Sequence, residues 1–470
     1  MIIRTKDAAI EYEQDTSGVF QFTEGGPTLL LDGDPIAYSS ASACDSAEHN
    51  IKLNGTTIYT IQGGLTELYS ALGFTDYRDF GAMLDKNPDI TYEKVVTSDD
   101  SRNMFHTIKA QIRKIIKRTG AGAVKVYLTD GATNFRITED IATVLKYKGN
   151  RSSESKPQML GKARDYMVEE LGAIMCSGYE ADDALAIEHR NAWKQAMEDA
   201  VEFYAPEKVT VAELEKKAME LSGTILCTID KDIKMVAGKF LNPDQDLGIE
   251  NIYPLGSLFL EVKSDSKKLR FNGLKGFYAQ LLLGDNCDNI SSVYFCGDTR
   301  TYEVLKDCEN EEQLFKATLR EIYQGFHREH LKTLDSDILS RVEIAIASGA
   351  HGNDNPSNRA KVKKKIKDAM EKTVAYGGKY YYHWSLFKEK EDGTVSRELA
   401  DPTTATLSYL SPVDYMVEVA RLIYMLDVYP DGCTNNHLWK LTPEMEKWAA
   451  QVTSEFDEEN LMRISTEWVL

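Results

Sequence analysis

The sequence predicts an α/β fold: a mostly parallel sheet flanked by helices, followed by a mostly helical C-terminal region. Three observations predict it. Short apolar runs at 28–31, 124–128 and 223–229 read as buried strands. Each run stops at an acidic loop. Stretches with helical spacing separate them, and strand alternating with helix is the pattern of a mostly parallel sheet.

Residues 1–27 are polar and end in the turn signal Glu24-Gly25-Gly26-Pro27, so they read as an N-terminal extension. The first strand, Thr28-Leu29-Leu30-Leu31, stops at Asp32-Gly33-Asp34-Pro35. Residues 36–100 are mixed, with two Gly-bearing turns and no motif. The long interval between Asp32 and Asp130 marks 45–100 as an insertion. Residues 102–118 form an expected amphipathic helix. Met104, Ile108, Ile112 and Ile115 line one face, and Lys109, Arg113, Lys114, Lys117 and Arg118 line the other. The second strand, 124–128, ends at Asp130-Gly131. A helix is expected over 157–173. After Cys176, Glu180-Ala181-Asp182-Asp183 opens another, and the charged stretch 189–220 reads as a second insertion. The third strand ends at Asp230-Lys231-Asp232, and Leu281-Leu282-Leu283 leads into Gly284-Asp285-Asn286-Cys287-Asp288-Asn289. The main domain is expected over 28–300. Residues 301–470 are mostly helical, with a polar loop at 349–358 and a basic run of Arg359, Lys361, Lys363, Lys364, Lys365 and Lys367. There is no internal repeat and no low-complexity tract.

Composition bounds the function. The chain has 470 residues, enough for two or three domains at about 150 residues each. It is 42% hydrophobic and 27% charged, the balance of a soluble globular protein. With 74 acidic and 55 basic residues the net charge is −19, which excludes a wholly basic DNA-coating protein but not a local basic patch. No apolar stretch is long enough to span a membrane, and the N-terminus turns acidic too early for a signal peptide. The seven cysteines, at 44, 176, 227, 287, 296, 308 and 433, form no CxxC pair. Scattered thiols in odd number fit a reducing cytoplasm.

In an open parallel sheet, ligands bind beyond the carboxyl ends of the strands. Asp32, Asp34, Asp130, Glu180, Asp182, Asp183, Asp230, Asp232, Asp285 and Asp288 would converge there. Each has an ordinary explanation alone: a strand-ending Asp-Gly is a turn, and Glu-x-x-Asp at a helix start is a cap. Together they pose an electrostatic problem. Two like charges at ~4 Å repel by about 4 kcal/mol at an effective dielectric near 20. Some are therefore protonated, or divalent cations sit among them. Hard oxygen donors without a histidine pair favour Mg²⁺ or Mn²⁺ over zinc. Asp230 and Asp232, two apart, point the same way if the strand continues. Glu180 and Asp183 share a helix face, and Asp182 points aside. Two cations would serve phosphodiester hydrolysis. The counter-charge lies at 136–156, where Arg136, Lys146, Lys148, Arg151 and Lys156 surround Tyr147. Such a segment can grip phosphates and stack a base or sugar, or can be an ordinary solvated basic helix. The 109–118 and 359–367 cations could extend a duplex-binding track, although a solvated charge run is the plainer reading of 359–367.

These residues resemble the 5′-nuclease superfamily: bacteriophage 5′–3′ exonucleases, the 5′-nuclease domain of bacterial DNA polymerase I, and flap endonucleases. The matching text is LLLDGDPIAY at 29–38, VYLTDGATNFR at 126–136, YKGNR at 147–151, YEADDALA at 179–186, TIDKDIKMV at 228–236 and GDNCDNI at 284–290, in the family's order. The resemblance covers about residues 28–300. It implies a PIN-like α/β domain with two divalent ions. Asp32, Asp130, Glu180 and Asp182 would surround one, and Asp183, Asp230, Asp232, Asp285 and Asp288 the other. Arg136, Lys148 and Arg151 would lie on arch-like helices and contact the scissile phosphate and the 5′ strand. Asp34 has no strict family equivalent. The chain departs from the family after residue 290, where Ser291-Ser292-Val293-Tyr294-Phe295-Cys296-Gly297-Asp298 replaces the usual PGxxGxG of a duplex-gripping helix–hairpin–helix.

The expected function is a metal-dependent 5′-nuclease acting on DNA ends, flaps or nicks, or on RNA–DNA hybrids. A phage origin, a host-cytoplasmic setting and contacts with replication proteins go with that expectation. Three other readings share parts of the pattern. A haloacid-dehalogenase-type phosphatase would use Asp32-Gly33-Asp34 and Gly284-Asp285, but leaves Glu180 to Asp183, YKGNR and Asp230-Lys231-Asp232 unexplained. A non-catalytic DNA-binding scaffold would not need every acid. A PIN-type ribonuclease shares the acids.

Overall fold

The computed structural model describes residues 3–4, 10–11, 20, 22–74, 77–98, 100–131, 133–139, 141–151, 156–263, 266–347, 354–373, 377–430 and 435–467. Most of the expected N-terminal extension, part of the 349–358 loop and Cys433 lie outside the described residues.

Six strands form the central sheet: β1 Thr28–Asp32, β2 Ala123–Thr129, β3 Ile174–Cys176, β4 Thr224–Cys227, β5 Gly238–Leu241 and β6 Glu250–Ile252. Their order is β3-β2-β1-β4-β5-β6. The first five run parallel and β6 is antiparallel. Two-residue strands at Ile3–Arg4 and Ile10–Glu11 add to the β2 side, the second pairing antiparallel with the start of β2. Because β1 is central, its side chains are buried on both faces, which is why it reads as an unbroken apolar run. Leu29 and Leu31, with Val124, Val126, Ile225 and Cys227, face one core; Leu30, Tyr127 and Leu226 face the other.

The first core is closed by α1 Asp34–Ser42, α2 Ser101–Thr119 and α3 Leu160–Leu171. Helix α2 buries Met104, Ile108, Ile112 and Ile115, as its spacing predicts. Asp100 caps it by accepting from the Arg102 amide, and Gly120, at φ +60°, ends it in the left-handed region. The other core is larger. α4 Ala181–Tyr204, the helix Gly273–Leu283, α5 Glu311–Ala347, α7 Pro412–Ile423 and the helix Pro443–Glu467 all contribute to it. The C-terminal third therefore packs into the same apolar mass as the sheet. It also carries α6 Pro356–Thr373 and two small hairpins, Lys379–Tyr382 with Leu407–Leu410 and Phe387–Glu389 with Val395–Leu399.

Residues between α1 and α2 build a three-stranded antiparallel sheet, Asp45–Leu53 between Thr56–Gln62 and Ile90–Ser98. It has its own core of Ile51, Leu68 and Phe80. The 189–220 stretch comprises the second half of α4 and the helix Val211–Leu221, packed through Ala196, Ala200 and Ala218. None of the six described cysteines is joined in a disulfide. Among the described residues, no helix is long and apolar enough to cross a membrane.

Helix α4 meets β5 through the His189 ring, which fills the place a side chain on Gly238 would take. A Cβ on Gly238 would lie 2.1 Å from Nε2 of buried His189, and Gly238 has φ +132°. The His189 ring is fixed by Thr224 at 2.8 Å, and burial pulls its pKa down to about 4. Gly238→Ala is therefore expected to destabilise the fold by about 1–3 kcal/mol in chemical denaturation, through backbone strain and the ring clash together.

Candidate metal centre at the carboxyl edge of the sheet

Strand register places the acids. Leu31 pairs with Val126 on one side and Cys227 on the other, so β1, β2 and β4 reach the same edge in step. Asp32 ends β1 there. Thr228 Oγ1 donates to its Oδ2 at 2.8 Å and the Asp34 amide to its Oδ1 at 3.0 Å. Burial, then the charge of Asp34, push the Asp32 pKa up to about 7, with Asp230 adding to them. Asp34 sits in the first turn of α1. Its Oδ2 accepts from the Thr129 amide at 2.9 Å and its Oδ1 lies 3.6 Å from Arg164.

Asp130 lies further out. Asp32 pairs with Tyr127, and three more extended residues add about 10 Å. The Asp130 carboxylate accepts from Thr133 at 3.2 Å and Ser177 at 3.4 Å. Sequence alone ranks Asp130 above Asp34; the structure gives Asp34 the place beside Asp32.

Helix α4 supplies the next three acids. Glu180 is its N-cap and Asp183 its N3 residue. Asp183 is fully buried and its oxygens are occupied. It accepts from Arg136 at 2.6 and 2.9 Å, from the Glu180 amide at 3.1 Å and from the Leu426 amide at 3.1 Å. The capping explanation thus holds for Asp183, and this geometry leaves it no oxygen to offer an ion. Asp182 is different. Its Oδ1 is buried with no hydrogen-bond partner. Burial, then Asp32 and Asp230, push its pKa well up.

Asp230 joins this group to a second one. β4 ends at Cys227, and a 3₁₀ turn begins at Asp232, whose amide donates to Asp230 Oδ1 at 2.8 Å. The strand does not continue, so the expected extended i, i+2 arrangement is replaced by an Asx-type turn. Burial raises the Asp230 pKa, as do Asp288 and Asp285. Burial, then a hydrogen bond with Asp285, raise Asp232 to about 9. Asp285 moves down, because that bond and Lys231 outweigh its burial.

The 136–151 cations depart from expectation. Residues 139–151 contain no helix among the described residues, so no arch-like helix stands over the acids there. The segment is docked as a loop on 286–289. The Lys148 amide donates to the Asp288 carbonyl at 2.9 Å, Asn289 Nδ2 to the Lys146 carbonyl at 2.9 Å, and Asn150 Nδ2 to the Asn286 carbonyl at 2.7 Å. Lys148 and Asn289 adopt φ of +54° and +60° to allow this. Lys148 pairs with Glu180 and lies 3.8 Å from Asp288, while Arg151 pairs with Asp288 at 2.5 Å. Lys148 and Arg136 hold the Glu180 pKa low against its burial. Tyr147 is buried, and its hydroxyl donates to Asp288 at 2.7 Å and Glu180 at 3.2 Å, so it is not placed to stack an incoming base. Lys146 pairs with Glu389 and lies over Trp384, whereas Lys156 is exposed.

Arg136 is the largest departure. It is 2% exposed, and besides Asp183 it donates to the carbonyls of Leu422 at 2.9 Å and Tyr424 at 2.8 Å. It is a buried strut, not a surface cation. Arg118 is also occupied, by the carbonyls of Pro243, Gln245 and Leu247.

Among the described residues no three His, Cys, Asp or Glu side chains are already drawn together as a cage for an ion. The donor set nonetheless fits hard divalent cations. Asp230 pushes up Asp32, both push up Asp182, and Asp182 Oδ1 is desolvated and unsatisfied.

No family model matches the chain, and no curated protein matches it. Among solved structures, the chain is similar to the T5 D15 protein co-crystallised with metal ions. Identity is 15%, coverage is 57% of this chain and 93% of that chain, and the TM-score is 0.26.

Two outcomes are expected. A carboxyl whose pKa is raised by folding contributes stability that is present below its unfolded value and lost as pH rises through the folded one. For Asp32 that window runs from 3.8 to about 7. In chelator at pH 8, Asp182→Asn should therefore raise the melting temperature by about 2–4 °C, and the gain should shrink as pH falls towards 4. Breaking the buried pair with Arg136→Ala should cost about 3–5 kcal/mol in denaturant unfolding. The double change Arg136→Met with Asp183→Leu should cost less than either of its single changes.

Proposed function

We propose that this protein is a divalent-cation-dependent nuclease that hydrolyses DNA phosphodiester bonds at or near a 5′ end. One observation supports the reading above the others: of the desolvated carboxylates Asp32, Asp182 and Asp230, Asp182 feels the charge of Glu180 and Asp230 that of Asp288, the two acids on which Lys148 and Arg151 are held, so candidate cation ligands and phosphate ligands are linked through one cluster. Asp32, Asp34, Glu180 and Asp182 would hold one Mg²⁺ or Mn²⁺, and Asp230, Asp232, Asp285 and Asp288 a second. Asp130 is an outlying candidate. When bound, such cations supply Lewis-acid polarisation of a phosphoryl oxygen and offset charge in an in-line displacement.

The chain's own residues do the rest. Lys148 and Arg151 are paired with carboxylates that are themselves candidate ligands, and a phosphate can take the carboxylate's place on each. Arg151 is half-exposed and offers a planar donor fork; Lys148 is more enclosed and offers a point charge close to Glu180. Arg136 acts at one remove. It neutralises Asp183, which caps α4 and thereby fixes Glu180 and Asp182 at the helix start. Arg136 and Asp183 are positioning residues in this reading, whereas Lys148 and Arg151 meet the substrate.

The test uses 5′-labelled blunt, nicked and flapped duplexes with Mg²⁺ and with chelator. Wild-type protein should release 5′-phosphate products only with the cation. Asp182→Asn and Asp230→Ala should lose at least about 10²-fold in rate while keeping duplex binding within a few-fold. Mg²⁺ should raise the wild-type melting temperature and not that of Asp182→Asn, a readout independent of turnover. Wild-type rates in either variant would defeat the reading.

A further inference from the structure

The basic run in the C-terminal third is left over by this reading, and its setting is unusual in a chain of net charge −19. It lies on α6. Among its described side chains, buried Val362 and half-buried Ile366 pack on Val342, Ala345 and Ile346 at the end of α5, a small cluster separate from both main cores. Arg359 is consumed by Asp354 at 2.6 Å and Glu343 at 2.5 Å. The next cations are not. Lys361, Lys363, Lys364 and Lys365 are exposed, and among the described residues no carboxylate pairs with any of them. Four like charges within five residues repel one another along barely more than one helical turn, with nothing in the described structure to offset them.

We propose that α6 is a grip for the phosphate backbone of a nucleic-acid duplex, outside the acid cluster; this rests on the nuclease reading. The helix carries no aromatic residue, so it has nothing to stack on a base, and its exposed groups are ammoniums that read charge and not sequence. Lys361 and Lys365 are one i, i+4 step apart, about 6 Å along the helix, close to the axial span of two phosphates on one strand at about 3.4 Å each. Residues 289–299 carry no lysine or arginine that could serve as such a grip. The Ser291 carbonyl accepts from buried Tyr415 at 2.9 Å, and Val293 and Cys296 are buried.

The experiment measures binding of full-length protein to a short, blunt, labelled DNA duplex by fluorescence anisotropy in chelator, from about 50 to 200 mM KCl. The variant carries Lys361→Gln, Lys363→Gln, Lys364→Gln and Lys365→Gln together; a second carries Arg at the same four positions. At roughly 0.9 counterions per phosphate contact, the Gln variant should flatten the slope of log K against log salt by about 2–4. Its affinity at about 100 mM KCl should fall at least 10-fold, and the Arg variant should retain both. Equal slopes and affinities in a Gln variant with wild-type circular dichroism and melting temperature would overturn the proposal. So would loss of binding to anionic phospholipid vesicles with duplex binding unchanged. Wild-type hydrolysis of the duplexes described above, with unchanged slopes, would overturn the grip alone. Wild-type protein that neither binds nor cuts duplex would overturn the nuclease reading with it.

Discussion

Strand register forces like charges together. Once Leu31 is paired with both Val126 and Cys227, the ends of three strands are in step. Asp32 must then lie beside Thr228 and Asp34 and within reach of Asp182 and Asp230. The register is set by the alternation of Leu29, Leu30 and Leu31 between two cores, and slipping it by one residue would turn that alternation inside out. The acids thus cannot relax apart without unfolding the sheet. Their repulsion shows locally instead, in the raised pKa values of Asp32, Asp182 and Asp232 and in the cations held on Glu180 and Asp288.

Cations answer this strain from two distances. Lys148 and Arg151 answer it from a loop that is held by backbone and amide hydrogen bonds, so their backbone placement does not depend on their own charge. Arg136 answers it from inside the protein, where partners on α4, in the last turn of α7 and just after it satisfy its guanidinium. The C-terminal third is accordingly part of the site's architecture, although none of its side chains is a candidate ligand.

What the sequence reveals follows from how local each signal is. β1, β2 and β4 were legible because each is an apolar run closed by an acidic turn, and α2 because of its apolar stripe; the short β3, β5 and β6 carry no such mark and went unread. The capping box was equally local: Glu180 and Asp183 at N-cap and N3 spacing is the mark of a helix start, and it marks Asp183 as a cap more than as a ligand. Pro35 just after Asp34 likewise marks a helix beginning at that acid, which brings Asp34 into the group. The three-stranded sheet at 45–98 went unpredicted although Asn54-Gly55, both at positive φ, is a strong hairpin signature between Leu53 and Thr56. Arg136 had no comparable mark. Its partners Leu422 and Tyr424 lie 286 and 288 residues away, and no local pattern encodes a contact of that span. The same holds for the 139–151 loop, whose shape is dictated by a turn well over a hundred residues downstream.

That span has a temporal side. On the ribosome, at about 5–20 residues per second, Arg136 emerges roughly 15–60 seconds before the carbonyls that complete its coordination. Until then the nascent chain holds a guanidinium with half of its native acceptors missing and a helix start without its final support. Maturation of the edge is therefore tied to synthesis beyond residue 424, and a chain that stalls short of it is left with an unfinished centre.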